Sequence, residues 1–163
     1  MKPDRKFLLK HPAHFIALGF GSGLAPKAPG TWGTLAALPI YALLIWLGGN
    51  IALAMAAALF FFIGIWASSV TGRALGVSDH SGIVVDEIAA FLLILVFTPA
   101  TWIWITVAFV LFRVFDIVKP WPISVADRLI RGGFGVMFDD LLAALATIGC
   151  IWFLRSIFQG VTS

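Results

Sequence analysis

Asp86-Glu-Ile-Ala-Ala-Phe-Leu-Leu-Ile-Leu-Val-Phe-Thr-Pro-Ala-Thr-Trp-Ile-Trp-Ile-Thr-Val-Ala-Phe-Val-Leu-Phe-Arg-Val-Phe-Asp116 carries its charges only near its two ends. Read as one long helix, it places Asp86 and Glu87 across a membrane from Arg113 and Asp116. Read as two helices turning at Thr98-Pro99, it returns all four to the same side. Length permits either, because a crossing helix needs about 20 apolar residues. Charge bias decides. With two tight hairpins in the chain, Lys2, Arg5, Lys6, Lys10, Lys27, Arg73, Arg113, Lys119, Arg128 and Arg131 share one side, and only Arg155 lies toward the other. That asymmetry follows the positive-inside rule, so the shared face is expected to be cytoplasmic.

Working outward, apolar runs predict helices at about 34–47, 51–71, 83–97, 100–118 and 139–158. Gly48-Gly49-Asn50, Thr98-Pro99 and Lys119-Pro120 supply the stop and turn signals between them. The expected fold is all-α: a polytopic helical membrane protein of about five membrane-embedded helices, in two hairpins plus a C-terminal helix. The first and third segments are short, so their ends extend or they enter the membrane part-way. His14–Leu18 is expected to form part of a sixth helix in the interface. Residues 1–163 form a single domain, and residues 1–13 are a basic cytoplasmic N-terminal segment. A secretory signal is not expected, because the apolar stretch Phe15–Phe20 is short and runs into Gly21-Ser22-Gly23.

Composition points the same way. The chain is 61% hydrophobic and 12% charged, with a mean hydropathy of +1.02, too few charges to cover a soluble surface of this size. A net charge of +3 gives no footprint for nucleic acid. Cys150 has no partner for an internal disulfide. The tryptophans, Trp102, Trp104 and Trp121 among them, suit an aromatic belt or packing.

Apart from Asp4, every acidic residue falls in a loop of the cytoplasmic face or at a helix end there: Asp79, Asp86, Glu87, Asp116, Asp127, Asp139 and Asp140. Gathering carboxylates at a membrane edge is costly unless cations balance them. Asp86-Glu87 and Asp139-Asp140 each precede an apolar run, and both pairs are expected in first turns of helices, where the dipole favours anions. Helix-start charge alone explains one such pair. Two pairs on one face favour a metal site, and oxygen-only ligation suits magnesium better than zinc. For Arg113 and Asp116 two readings stand level, an i,i+3 ion pair at the membrane edge or a phosphate grip beside a metal ligand.

Gly19-Phe-Gly-Ser-Gly23, Pro26 and Pro29-Gly30-Thr31 form a backbone-rich loop leading to a helix expected near Thr34, a setting that can present N–H groups to anions. A turn-rich connector is the plainer reading, and neither the dinucleotide nor the Walker pattern is met. Asp79-His80-Ser81 has the composition of an acid–base group and, equally, of a hydrophilic loop.

Taken together, five runs resemble the phosphatidylglycerophosphatase A family: 19–33 (Gly-Phe-Gly-Ser-Gly-Leu-Ala-Pro-Lys-Ala-Pro-Gly-Thr-Trp-Gly), Asp79-His80 through Asp86-Glu87, 112–123 (Phe-Arg-Val-Phe-Asp-Ile-Val-Lys-Pro-Trp-Pro-Ile), Asp127-Arg128, and 132–140 (Gly-Gly-Phe-Gly-Val-Met-Phe-Asp-Asp). The similarity runs in order over roughly residues 14–155. It implies an all-helical, magnesium-dependent phosphatase of the cytoplasmic (inner) membrane, its active-site loops facing the cytoplasm. The implied reaction converts phosphatidylglycerophosphate to phosphatidylglycerol and inorganic phosphate. On that basis Asp86, Glu87, Asp139 and Asp140 are the expected metal ligands, and Asp116 a catalytic carboxylate and further candidate ligand. Arg113 and Lys119 would hold the phosphate, helped by the loop at Gly30 and Thr31, and Asp79 or His80 would handle the proton. Neither the aspartyl-nucleophile motif of the haloacid dehalogenase class nor the histidine motifs of type-2 phosphatidate phosphatases are present.

Two rivals rank below this reading. A small transporter would place ionisable groups along a crossing path, and the expected midplane has none. A lipid headgroup transferase would carry the Asp-Gly…Ala-Arg…Gly…Asp…Asp arrangement of the alcohol phosphatidyltransferases, which is missing.

Overall fold

The structure is a computed structural model that describes residues 3–77 and 79–161, with side chains through Phe158; Lys2, counted among the basic residues above, lies outside the described residues. Every regular element among the described residues is helical. In order they are α1 (Arg5–Lys10), α2 (Pro12–Ala17), a 3-10 segment (Gly19–Leu24), α3 (Pro29–Leu75), α4 (Val85–Phe97), α5 (Trp102–Val118), α6 (Ile123–Leu129) and α7 (Gly132–Val161). The first two start on side-chain caps. Asp4 accepts from the Phe7 N–H at 2.7 Å, and His11 Nδ1 accepts from the Ala13 N–H at 3.1 Å with Pro12 opening the helix.

Straight and unbroken, the 47 residues of α3 would run for about 70 Å. They do not, because Gly48 and Gly49 leave helical geometry, Gly49 with φ 63° and ψ −151°, a conformation open to glycine alone. Gly33 lies against Val84 near the start of α4, and Asn50 Nδ2 donates to the Val96 carbonyl at its end, 3.1 Å. Ala67 then packs with Val85 back at the start. The two arms of α3, 29–47 and 50–75, therefore both run alongside α4.

After α4 the chain turns at Thr98-Pro99, and the Thr101 hydroxyl caps α5. Phe91 meets Phe109 and Phe112 with ring centroids 6.0 and 6.1 Å apart. At the far end α7 brings Trp152 to Phe97 and Phe158 to Trp104. The core, with Leu53, Ile88, Phe91, Phe112 and Ile151 fully enclosed, lies between α3, α4, α5 and α7. The consequence for function is polarity. The connections at 19–28, 76–84 and 119–131 gather at one end, with the starts of α3, α4 and α7, while Gly48-Gly49 and Thr98–Thr101 lie at the other.

Both α3 and α7 are long and apolar enough to cross a membrane, and only 28% of the most apolar window of each is buried inside the protein. Trp46, Ile51, Met55 and Phe62 project outward, Trp46 at 80% exposure. A soluble core helix would hide such residues. An apolar exterior on this scale needs lipid, and the chain is a membrane-associated, all-helical protein.

Two expectations about helix starts are corrected. α3 begins at Pro29, not near Thr34, because left-handed Ala28 (φ 48°) turns the chain and Pro29 fits the first helical position. α7 begins at Gly132 rather than Asp139. The glycine-rich run before Asp139 looked like a loop, but Gly133 packs on the Ile65 carbonyl and Ser69 so closely that a side chain would not fit. Asp139 and Asp140 thus sit about two turns inside a helix, beyond the reach of its N-terminal dipole. Asp86 and Glu87 do occupy the first turn of α4. Between Lys119-Pro120 and α7 the chain also forms the short helix α6.

Candidate active site

The first turn of α4 and the third turn of α7 meet at the loop-bearing end of the bundle. There Asp86, Glu87 and Asp140 each offer a carboxylate oxygen, all within 4.8 Å of one another. Glu87 and Asp140 are only 9% and 3% exposed. Asp86 Oδ1, Glu87 Oε2 and Asp140 Oδ2 are buried with no hydrogen-bond partner. Such oxygens lose their water and gain nothing in return, and their mutual repulsion adds to the cost. A bound cation removes both penalties, and a donor set made only of oxygen suits a hard divalent ion. The residues present fit a metal.

Around this trio stands Arg113, from the last turns of α5. Its Nη1 is 2.7 Å from Asp116 Oδ2 and 3.7 Å from Glu87 Oε1, and it reaches Thr34 Oγ1 at 3.5 Å. Thr34 in turn donates to the Gly30 carbonyl at 2.9 Å. Gly30 touches the same group: a Cβ there would collide with Glu87 Oε1 and crowd Arg113 Nη2 at 3.1 Å. Asp116 feels both Glu87 and Asp140 electrostatically, so the Arg113–Asp116 pair forms one wall of the trio.

Asp139 takes a different partner. Lys119, in a left-handed conformation at the end of α5, bridges Asp127 Oδ1 and Asp139 Oδ2, both at 2.5 Å. Burial alone would lower the lysine's pKa, but the hydrogen bonds to Asp127 and Asp139 outweigh it and hold the ammonium above its ordinary range. Asp139 Oδ1 remains buried and unpartnered. Asp79 lines the adjoining cavity of about 270 Å³ with Asp127, Arg128, Arg131 and Asp139. Its carboxyl is raised by desolvation, opposed by Lys119 and reinforced by Asp127.

The remaining expected site residues lie apart or are already engaged. His80 Nδ1 accepts from the Gly82 N–H at 3.0 Å and shares a separate cavity with Gly23 and Pro29. The Thr31 N–H donates to the Ala28 carbonyl, and those of Gly21 and Gly23 to Leu18, so these loop donors are spent within the loop. Two supporting residues carry no signal of their role in the sequence. Thr34 supports Arg113, and Asp127 shares Lys119 with Asp139. Nothing local signals either contact, because Thr34 is 79 residues from Arg113 and Asp127 is placed by α6.

A helical body with a buried, oxygen-only carboxylate centre at one end defines the class: a membrane-associated protein with a candidate metal centre. The phosphatidylglycerophosphatase A family matches residues 15–155. A Haemophilus influenzae protein named phosphatidylglycerophosphatase A is 43% identical over 147 residues, covering 90% of each chain. One of the same name from Escherichia coli is 39% identical over 147 residues, covering 90% of this chain and 85% of the relative. A Bacteroides thetaiotaomicron relative, provisionally named a phosphatidylinositol-3-phosphatase, is 42% identical over 137 residues, covering 80% of this chain and 85% of its own. No solved structure matches. The chain belongs to the phosphatidylglycerophosphatase A family and is a phosphatase.

Proposed function

We propose that this chain removes the terminal phosphate of phosphatidylglycerophosphate, releasing phosphatidylglycerol and inorganic phosphate, with Mg²⁺ as its cofactor. The observation that carries the metal dependence is the trio of buried, unpartnered carboxylate oxygens on Asp86, Glu87 and Asp140. These three are assigned as the metal ligands. Asp116 is a nearby carboxylate of the same wall, and Asp139 serves through Lys119 or as a further ligand on exchange of that contact. A divalent cation held there would draw charge from the phosphoryl oxygens and make water a better nucleophile near neutral pH.

The chain's own groups do the rest. Arg113 and Lys119 are the cations beside the carboxylates, and a guanidinium is built to grip phosphate through two N–H groups. Both now face carboxylates, so binding exchanges one anion for another. Gly30 lies at the edge of this wall, with Thr31 next to it in the chain. Hydrolysis breaks the bond from phosphorus to the glycerol oxygen and forms one to the water oxygen. The water's proton must leave and the glycerol oxygen must gain one. Asp79, whose carboxyl is raised by burial and which lines the cavity beside Asp139, suits that exchange better than His80, which lines a separate cavity.

The proposed topology is five membrane-embedded segments, the two arms of α3, α4, α5 and α7, with the loop-bearing end facing the cytoplasm at the inner membrane. The headgroup then reaches the carboxylates while most of each acyl chain stays in lipid. Cysteines placed at the exposed turn positions Asn50 and Ala100 in a Cys150→Ala background should react with an impermeant reagent from outside. Labelling from the cytoplasmic side would overturn the orientation.

The deciding experiment is phosphate release by detergent-purified protein from phosphatidylglycerophosphate, with phosphatidylinositol 3-phosphate in parallel. Release should stop with a chelator and return with Mg²⁺. Release unaffected by the chelator would remove the metal assignment. Release only from the inositol lipid would keep the reaction and change the substrate.

A further inference from the structure

A cavity of about 190 Å³ lies between the second arm of α3, α4 and α7. Its walls are Ala54, Ala57, Ala58, Phe61, Ala89 and Leu93 among others, and one acidic residue lines it: Asp86. The same Asp86 belongs to the carboxylate trio and carries an unpartnered buried oxygen. The cavity is therefore amphipathic along its length, charged where it meets the site and apolar elsewhere. Ala54 and Ala58 are exposed, and Met55 and Phe62 on the same helix face outward at 69%. The apolar part thus opens onto the exterior that faces lipid. The neighbouring cavity at the Lys119 side is lined instead by Asp79, Asp127, Arg128 and Arg131, a surface for water and headgroup.

We propose that this cavity is an acyl-chain subsite: it takes the first part of one fatty-acyl chain of the lipid whose phosphate is bound at the carboxylates. The assignment rests on the lipid-phosphatase reading above. Asp86 belongs both to the trio and to this cavity, so the cavity is an apolar route that starts at the site. Alanines at 54, 57, 58, 89 and 90 keep it open, since any larger side chain would occupy the space. A water-soluble phosphomonoester has nothing to place there. The subsite therefore favours diacyl substrates over free glycerol phosphates through the fit of the chain, a modest preference because lipid is as apolar as the cavity.

The test compares Ala54→Phe and Ala58→Phe, at the exposed mouth where the fold tolerates bulk, with Met55→Phe on the outward face as control. Each purified protein is assayed in Mg²⁺ on long-chain phosphatidylglycerophosphate and on its short-chain, water-soluble analogue. Folding is checked by thermal melt. The filling variants should lose about 10-fold in kcat/KM on the long-chain lipid, mainly through KM, while short-chain turnover and Tm stay at the wild-type level. The Met55 control should match wild type on both. Equal long-chain kinetics in all four proteins would overturn the subsite and leave the phosphatase reading intact. Wild-type protein that releases no phosphate from either lipid would instead sink the functional reading.

Discussion

Gly30 and Glu87 sit so close that no side chain fits between them: a Cβ on Gly30 would strike the Glu87 carboxylate and press on Arg113. The start of α3 thus sets the position of a residue at the start of α4, far away in sequence. Gly30→Ala should push Glu87 out of the trio while leaving the helices in place. The expected loss is about 10–100-fold in kcat/KM, typical of a group that positions a metal ligand, with a matching rise in the Mg²⁺ concentration needed for half activity. Unchanged Mg²⁺ dependence would show that Gly30 does not position the ligand.

Asp140→Asn and Glu87→Gln should act in opposite directions on activity and on metal-free stability. Each removes a proposed metal ligand, so activity should fall by more than about 100-fold, beyond the effect of a supporting residue. Each also removes one of several crowded buried charges, so the chelated protein should melt higher than chelated wild type. Added Mg²⁺ should raise the Tm of wild type and not of the variants, because a ligand stabilises only the state that binds it. Thermal melts in chelator and in Mg²⁺ read both effects.

Lys119 neutralises Asp139 and Asp127 together. Lys119→Ala leaves Asp139, with its side chain 7% exposed, without a counter-charge. The cost should be about 2 kcal/mol, below the roughly 3–5 kcal/mol of a fully buried pair, because the Lys119 side chain is itself 26% exposed. Adding Asp139→Asn should recover a good part of that loss. A double-mutant cycle in detergent should give a coupling of about 1 kcal/mol or more. Additive losses would mean that the contact carries no stability.

His14 is 5% exposed, with Nδ1 2.9 Å from Thr71 Oγ1 and its ring stacked on Phe7 at 4.2 Å. Burial, and then the charges of His11 and Lys10, lower its pKa below the ordinary 6.5. The unfolded chain therefore binds the proton more readily than the folded one. The stabilisation is complete above pH 6.5 and is lost as pH falls toward the depressed folded value. Melting temperature should drop on that acid limb in wild type, and the drop should shrink in His14→Asn, which does not titrate. An equal acid limb in both would place the titration elsewhere.

Much of this protein was legible in its sequence. Helices end where Gly48-Gly49, Thr98-Pro99 and Lys119 break the apolar runs, and Asp86-Glu87 open α4 as charges at a helix start should. Glycine was harder to read. The runs at 29–33 and 132–135 have the composition of loops, yet both lie in helices, because Gly33 and Gly133 are contact points where two backbones approach. Such a contact involves another segment, so no local pattern records it.

Periodicity, breaks and charge bias are properties of the chain read in order, and they suffice for an all-helical, apolar chain with its carboxylates collected at the loop-bearing end. Which carboxylates meet depends on how the helices pack. Asp139 and Asp140 are adjacent in sequence, but successive residues on a helix point about 100° apart. Asp140 turns toward Asp86 and Glu87, and Asp139 toward Lys119. Two neighbours that looked like one pair thus serve two different parts of the site, because α4 and the end of α5 flank different sides of α7.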